Sequence, residues 1–169
     1  NASSNKTGLT GIPSGFHKLD AITNGWQKSD LIIIAGRPAM GKTSFALSVA
    51  KDIAFDYQIP IAFFSLEMNN VQLVNRLISN VCEIPGNKML NGQLTPDEWD
   101  RLDKRIGNLQ GAPLYIDDTP GLSIFELRTK ARRLVKEKGV KILMIDYLQL
   151  MNANGMKFGS RQEEVSKIS

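Results

Sequence analysis

The sequence predicts an α/β fold of three layers, with helices covering both faces of a mostly parallel sheet. Short apolar runs alternate along the chain with longer stretches of helical periodicity. The stretches between runs are long enough to be the helical crossovers that parallel neighbours require. The 169 residues suit one compact unit.

Residues 1–11 are small and polar, so they read as a linker or expression scar with no role in the fold, the domain running over 12–169. Phe16, Leu19 and Ile22 recur every three residues and predict a short helix packed on the domain, ended by Asn24-Gly25. Residues 31–35 form an apolar run that leaves through Gly36, the pattern of a strand buried on both faces. From Lys42 onward, Phe45, Ala46, Val49, Ala50 and Ile53 lie at helical spacing until Ile59-Pro60. A second strand follows at 61–65, then a helix outlined by Val71, Val74, Leu77, Ile78 and Val81 that stops before Pro85-Gly86.

Thr95-Pro96-Asp97-Glu98 is a capping box with proline at the first helical position, and Trp99, Leu102, Ile106 and Leu109 continue it as an amphipathic helix. A third strand at 114–117 leads to a helix over 123–138 with Ile124, Leu127, Ala131, Leu134 and Val135 on one face. A fourth strand occupies 142–145.

Composition narrows the classes without choosing among them. A 42% hydrophobic and 22% charged content excludes bulk disorder. No apolar run approaches the ~20 residues of a membrane span. The single cysteine, Cys82, sits in an apolar helical pattern and reads as a small core hydrophobe, which fits a reducing, intracellular setting. The net charge of +4 is compatible with a polyanionic partner and requires none.

Sheets of this kind bind ligands at the carboxyl ends of their strands. After the first strand comes Gly36-Arg37-Pro38-Ala39-Met40-Gly41-Lys42-Thr43, a P-loop in the context its mechanism demands, between strand and helix. Gly36 and Gly41 are expected to take backbone angles closed to other residues, so that successive amides cradle phosphate oxygens, with Ser44 still inside the first helical turn. Lys42 would reach the outer phosphates, and the Thr43 hydroxyl would ligate Mg²⁺. Asp146, directly after the fourth strand, is the candidate second group on the metal. Glu67, directly after the second, is the candidate general base for the attacking water, the alternative being a structural glutamate favoured by a helix dipole. Asp117 and Asp118 also follow a strand, but with Thr119-Pro120-Gly121 behind them a turn and helix-start role is preferred to catalysis.

Between Glu126 and Lys141 seven bases stand against two acids, with Arg128, Arg132 and Lys136 on one helix face. A solvated outer face is the preferred reading over a surface for an acidic partner or DNA phosphates. No aromatic residues interleave with these bases, which weakens the case for a single-strand groove. His17 reads as an ordinary surface or cap residue.

Together, the Gly36 to Thr43 run, Ser65-Leu66-Glu67-Met68, Asp117 to Gly121 and Ile145-Asp146-Tyr147-Leu148-Gln149-Leu150 resemble the bacterial replicative DNA helicases of the DnaB family, as does the start Gly11-Ile12-Pro13-Ser14-Gly15-Phe16. The resemblance implies a RecA-like P-loop motor from a homo-hexameric ring that hydrolyses ATP with Mg²⁺ between subunits. It implies 5′-to-3′ movement on single-stranded DNA and unwinding at the replication fork, with a primase and a helicase loader as partners, in the bacterial cytoplasm at the nucleoid. The family roles fall on Lys42, Thr43, Glu67 and Asp146. The family's phosphate sensor, arginine finger, DNA loops and amino-terminal domain have no counterpart in the sequence, and Arg161 to Ser169 begins an amphipathic helix without a cap, so the motor is expected to be incomplete at its carboxyl end. A RecA-like recombinase, a clock-type ATPase and a nucleotide-binding or assembly module without unwinding activity remain as alternatives. A small-molecule kinase is disfavoured for want of an acceptor lid.

Overall fold

The computed structural model describes residues 8–37 and 39–146. A short helix α1 (His17–Thr23) precedes the P-loop, which opens α2 (Lys42–Lys51) and a wider π-helical turn (Asp52–Asp56) that brings both Ile53 and Ala54 into the core. Then follow β1 (Ile61–Ser65), α3 (Asn70–Cys82), α4 (Gly86–Asn91), α5 (Pro96–Gln110), β2 (Leu114–Asp117), α6 (Ile124–Lys138) and β3 (Ile142–Asp146). The sheet is parallel, in the order β2-β1-β3, with Phe64 beside Asp117 on one side and Ser65 beside Asp146 on the other.

β1 is central because every one of its residues is buried, as a strand covered on both faces must be. Its alternation divides the core: Ile61 and Phe63 face Leu47, Val49, Ala50 and Ile53 of the α2 region and Leu73 of α3. Ala62 and Phe64 face the other way, toward Leu122, Val140, Leu127 and Leu134 around α6. The predicted three layers are thus present. A smaller cluster of Cys82, Ile84 and Leu102 joins α3 to α5, and burial there pushes the Cys82 thiol pKa up. Capping boxes start α3 at Asn69, α5 at Thr95 and α6 at Ser123. No helix among the described residues is long and apolar enough to cross a membrane.

Four expectations need correction. Residues 31–35 pair with no strand among the described residues, and Leu31 and Ile33 are 76% and 78% exposed. An apolar run becomes a strand only where a neighbour takes its amides and carbonyls, and among the described residues β3 ends the sheet on that side of β1. The helix at 17–23 forms, but Ile22 is exposed and the buried residue is Asp20, whose Oδ1 accepts from the Ser14 amide and hydroxyl at 2.9 and 2.6 Å. On α3 the buried face is Leu73, Leu77 and Cys82, while Val71 and Val74 point outward, and the short helix α4 adds to the predicted elements. At the end of the expected linker, Thr10 and Gly11 are bonded to the fold, Gly11 N–H donating to Asn24 C=O at 3.1 Å and Thr10 Oγ1 accepting from Asn24 Nδ2 at 2.7 Å.

Candidate functional site

The carboxyl ends of β1, β2 and β3 lie side by side, and the predicted residues gather on this edge. Asp146, the last residue of β3, is 4% exposed. Its Oδ2 accepts from the Thr43 hydroxyl at 2.7 Å, and its Oδ1 lies 3.2 Å from Lys42 Nζ. A P-loop lysine and threonine thus meet a strand-end carboxylate, as the sequence predicts for the metal side of a nucleotide site. The ammonium makes burial of the carboxylate tolerable, since an unpaired buried charge is costly.

The loop ahead of them turns through Ala39 and Gly41, with φ of 63° and 82°, and Met40 N–H donates to Arg37 C=O at 3.2 Å. Gly41 is therefore required by its backbone angle, whereas Gly36 is not among the left-handed residues, contrary to expectation. The turn falls later in the loop, at 39–41, where the chain enters α2. Gly36, Arg37, Ala39, Met40 and Gly41 are exposed, and Pro38 lies outside the described residues. Phe45 N–H to Gly41 C=O is the first bond of α2, so the amides of Thr43 and Ser44 belong to the helix start that favours anions.

Glu67 is exposed at the middle of the turn between β1 and α3. Ser65 Oγ accepts from Met68 N–H at 3.1 Å and donates to Met68 C=O at 2.6 Å, closing the turn beneath it. Leu66 N–H donates to Asp146 C=O at 2.7 Å, which joins the Glu67 turn to the end of β3. The structure therefore brings Glu67 to the edge shared by Lys42, Thr43 and Asp146.

Asp117 and Asp118 act in turns, in line with the sequence reading. Asp117 Oδ1 accepts from Thr119 N–H at 3.0 Å, and its Oδ2 pairs with Lys130 Nζ at 2.7 Å. Burial alone would raise the Asp117 carboxyl, but Lys130 and the Thr119 hydroxyl and amide hold it below its ordinary value. Asp118 caps α3 rather than α6, accepting from Asn70 N–H at 2.6 Å. Sequence reading misses that contact and the Ser65 hinge; a carboxylate pair after a strand is the only available signal. Arg128, Arg132 and Lys136 are exposed and rim a groove of about 520 Å³ floored by Ile124, Leu127, Ala131 and Leu143. Tyr147 to Leu150 and Arg161 to Ser169 lie outside the described residues.

Comparison with known proteins agrees with this edge. The family model for the DnaB-like helicase C terminal domain matches residues 11–169. A replicative DNA helicase DnaB from Geobacillus stearothermophilus is 46% identical over 161 residues, covering 95% of this chain and 36% of its own length. The replicative DNA helicase DnaC of Bacillus subtilis is 45% identical over 164 residues, 97% of this chain and 36% of its own. Among solved structures, a DnaB-like replicative helicase described with its interactions with primase aligns at a TM-score of 0.88 and 34% identity, covering 99% of this chain and 41% of that one. A second solved structure, of an isolated ATPase domain, aligns at a TM-score of 0.86 and 34% identity, covering 95% of this chain and 57% of that one. The chain spans about a third of the length of the two curated relatives.

Proposed function

This chain belongs to the family of DnaB-like helicase C-terminal domains, and from that premise we propose that it is the motor portion of a replicative DNA helicase. In this reading it hydrolyses ATP to drive 5′-to-3′ movement along single-stranded DNA and separation of the duplex at the fork. The observation that carries it is the convergence of Lys42 and Thr43, from the start of α2, on Asp146, from the end of β3.

The residues fit a magnesium nucleotide. Thr43 and Asp146 offer a hydroxyl and a carboxylate oxygen 2.7 Å apart, hard donors of the kind Mg²⁺ takes in small number, keeping water and phosphate as its other ligands. No cluster of three or more His, Cys, Asp or Glu suited to a metal occurs among the described residues, which matches a site that is not an all-protein cage. Thr43 and Asp146 would hold the ion, whose chemistry is to neutralise charge on the phosphate oxygens. The backbone of Gly36, Arg37, Pro38, Ala39, Met40 and Gly41, with the amides of Thr43 and Ser44, would bind the phosphates. Lys42 exchanges its pairing with Asp146 for the outer phosphates. Glu67 orients the attacking water and accepts its proton as the oxygen bonds to the γ-phosphorus and the bond to ADP breaks. The proposed partners are single-stranded DNA, other copies of the motor in a hexameric ring, a primase and a loader, in the bacterial cytoplasm at the nucleoid, with the domain spanning 12–169.

The test uses the full-length protein on a forked duplex. Lys42→Ala should lose nucleotide-dependent unwinding, and retained unwinding overturns the P-loop assignment. Glu67→Gln should keep nucleotide binding and lose about 10²- to 10⁴-fold in turnover; turnover at the wild-type rate removes Glu67 as the base.

A further inference from the structure

The turn that carries Glu67 is held by a residue from another strand. Three of its restraints are local or come from main chain: Ser65 Oγ on Met68, Gln72 Oε1 on the Asn69 amide at 3.3 Å, and Asp146 C=O on the Leu66 amide. The fourth is a side chain 48 residues away in sequence. Asp118 Oδ2 accepts the Asn70 N–H at 2.6 Å. Asn70 is the first residue of α3, and its amide is one that the helix itself leaves without a partner. The capping residue Asn69 serves Gln72 N–H instead, so the Asn70 amide falls to the incoming carboxylate.

Asp118 is itself held. It follows Asp117, which sits beside Phe64 in the parallel register, so β2 delivers Asp118 next to the end of β1. On either side of it, Asp117 Oδ2 and Thr119 Oγ1 both bind Lys130 Nζ at 2.7 Å, clamping the strand end to α6. The carboxylate thus enters the α3 start from a fixed base, as a charge-assisted bond at the positive end of the helix.

We infer that Asp118 is a positioning residue for hydrolysis, fixing the start of α3 through Asn70 N–H so that the Glu67 turn is presented in one place relative to Asp146. This rests on the reading of Glu67 as the base. Asp118 has no contact with the reacting atoms in this role; it sets where the base stands, and misplacement of a reacting group by about an ångström can cost on the order of 10²-fold in rate.

The experiment removes the one bond from either side in the full-length protein and measures DNA-stimulated ATP turnover. Asp118→Ala removes the acceptor. Asn70→Pro removes the donor at a helix position where proline is favoured, after an Asn69 already extended at φ −75° and ψ 163°. Each should lower kcat by about 10- to 100-fold with KM for ATP and nucleotide affinity unchanged, and the double variant should fall no further than either single. Asp118→Asn, whose amide oxygen still accepts, should restore wild-type turnover. In a Glu67→Gln background neither change should matter further. Asn70→Pro at the wild-type kcat, losses confined to KM, or additive losses in the double variant would each overturn the proposal. Should Asp118→Ala fail to fold, Asn70→Pro decides alone. Wild-type turnover in Glu67→Gln overturns the base assignment instead, whereas an inactive Glu67→Gln beside a fully active Asn70→Pro overturns only the positioning role.

Discussion

The two loops at the carboxyl edge of the sheet are built in opposite ways. The P-loop stands exposed at Gly36, Arg37, Ala39 and Met40 and turns through left-handed angles at 39 and 41. Its described bonds are main chain to main chain, Met40 to Arg37 and Phe45 to Gly41. The 65–70 turn is held by side chains, Ser65 from below, Gln72 from within α3 and Asp118 from across the sheet. The difference follows from what each must do. A loop that surrounds a phosphate works with its backbone amides, and side-chain crosslinks would compete for them. A turn that presents one carboxylate needs only that carboxylate in a defined position, which fixed side-chain bonds provide.

Three substitutions sharpen the contrast, and the largest effect is expected in the held turn. Ser65 is 2% exposed and bonds Met68 through both its hydrogen and its oxygen. Ser65→Ala should destabilise the protein by about 1–3 kcal/mol, the cost of leaving buried polar groups unpaired. It should also lower kcat while nucleotide affinity holds, read by urea unfolding and steady-state turnover. An equal loss in affinity would mean that the two loops are not separately held.

Gly41→Ala should act on binding instead. Its φ is 82°, and an added Cβ meets nothing within 4 Å, so the cost is backbone strain alone, about 1–2 kcal/mol. If the strain is released by distorting the loop, nucleotide affinity falls roughly tenfold, at 1.4 kcal/mol per decade, with little change in unfolding midpoint. Titration with a fluorescent ADP analogue measures it, and unchanged affinity would remove the requirement for a left-handed residue there.

The smallest effect concerns acid. The folded Asp117 carboxyl titrates below its unfolded value of about 3.9. Its stabilising contribution is therefore complete above that unfolded value and is lost as pH falls through the lower folded one. Between pH 7 and pH 3 the wild type should lose slightly more of its unfolding midpoint than Lys130→Met, which lacks the pair from the start. Parallel curves would show that the Lys130 clamp on the Asp118 turn contributes nothing to stability.

Much of the site was legible because its chemistry depends on short spacings. Gly41, Lys42 and Thr43 follow one another, and Asp146 and Glu67 each follow an apolar run directly. Asp118 was legible only as a turn residue, since its partner Asn70 lies on another crossover and is reached only once β1 and β2 are paired. Helix starts read well where capping boxes mark them. Buried faces read less well: Val71 and Val74 fit the helical period as well as Leu73 and Leu77 do, and only the position of β1 selects the latter pair.

The apolar runs at 31–35 and 61–65 make the same division. Both have strand-like composition, yet β1 is buried in every residue while Leu31 to Ile34 are all exposed. Local sequence determined the P-loop, the capped helices, the alternation of α and β and the candidate carboxylates, because these depend on side-chain chemistry within a few residues. Tertiary structure decided which apolar run is central, which helix faces are buried and which acid holds the Glu67 turn. Those outcomes depend on hydrogen-bond partners and packing surfaces supplied by distant segments, and no local pattern encodes which distant segment arrives.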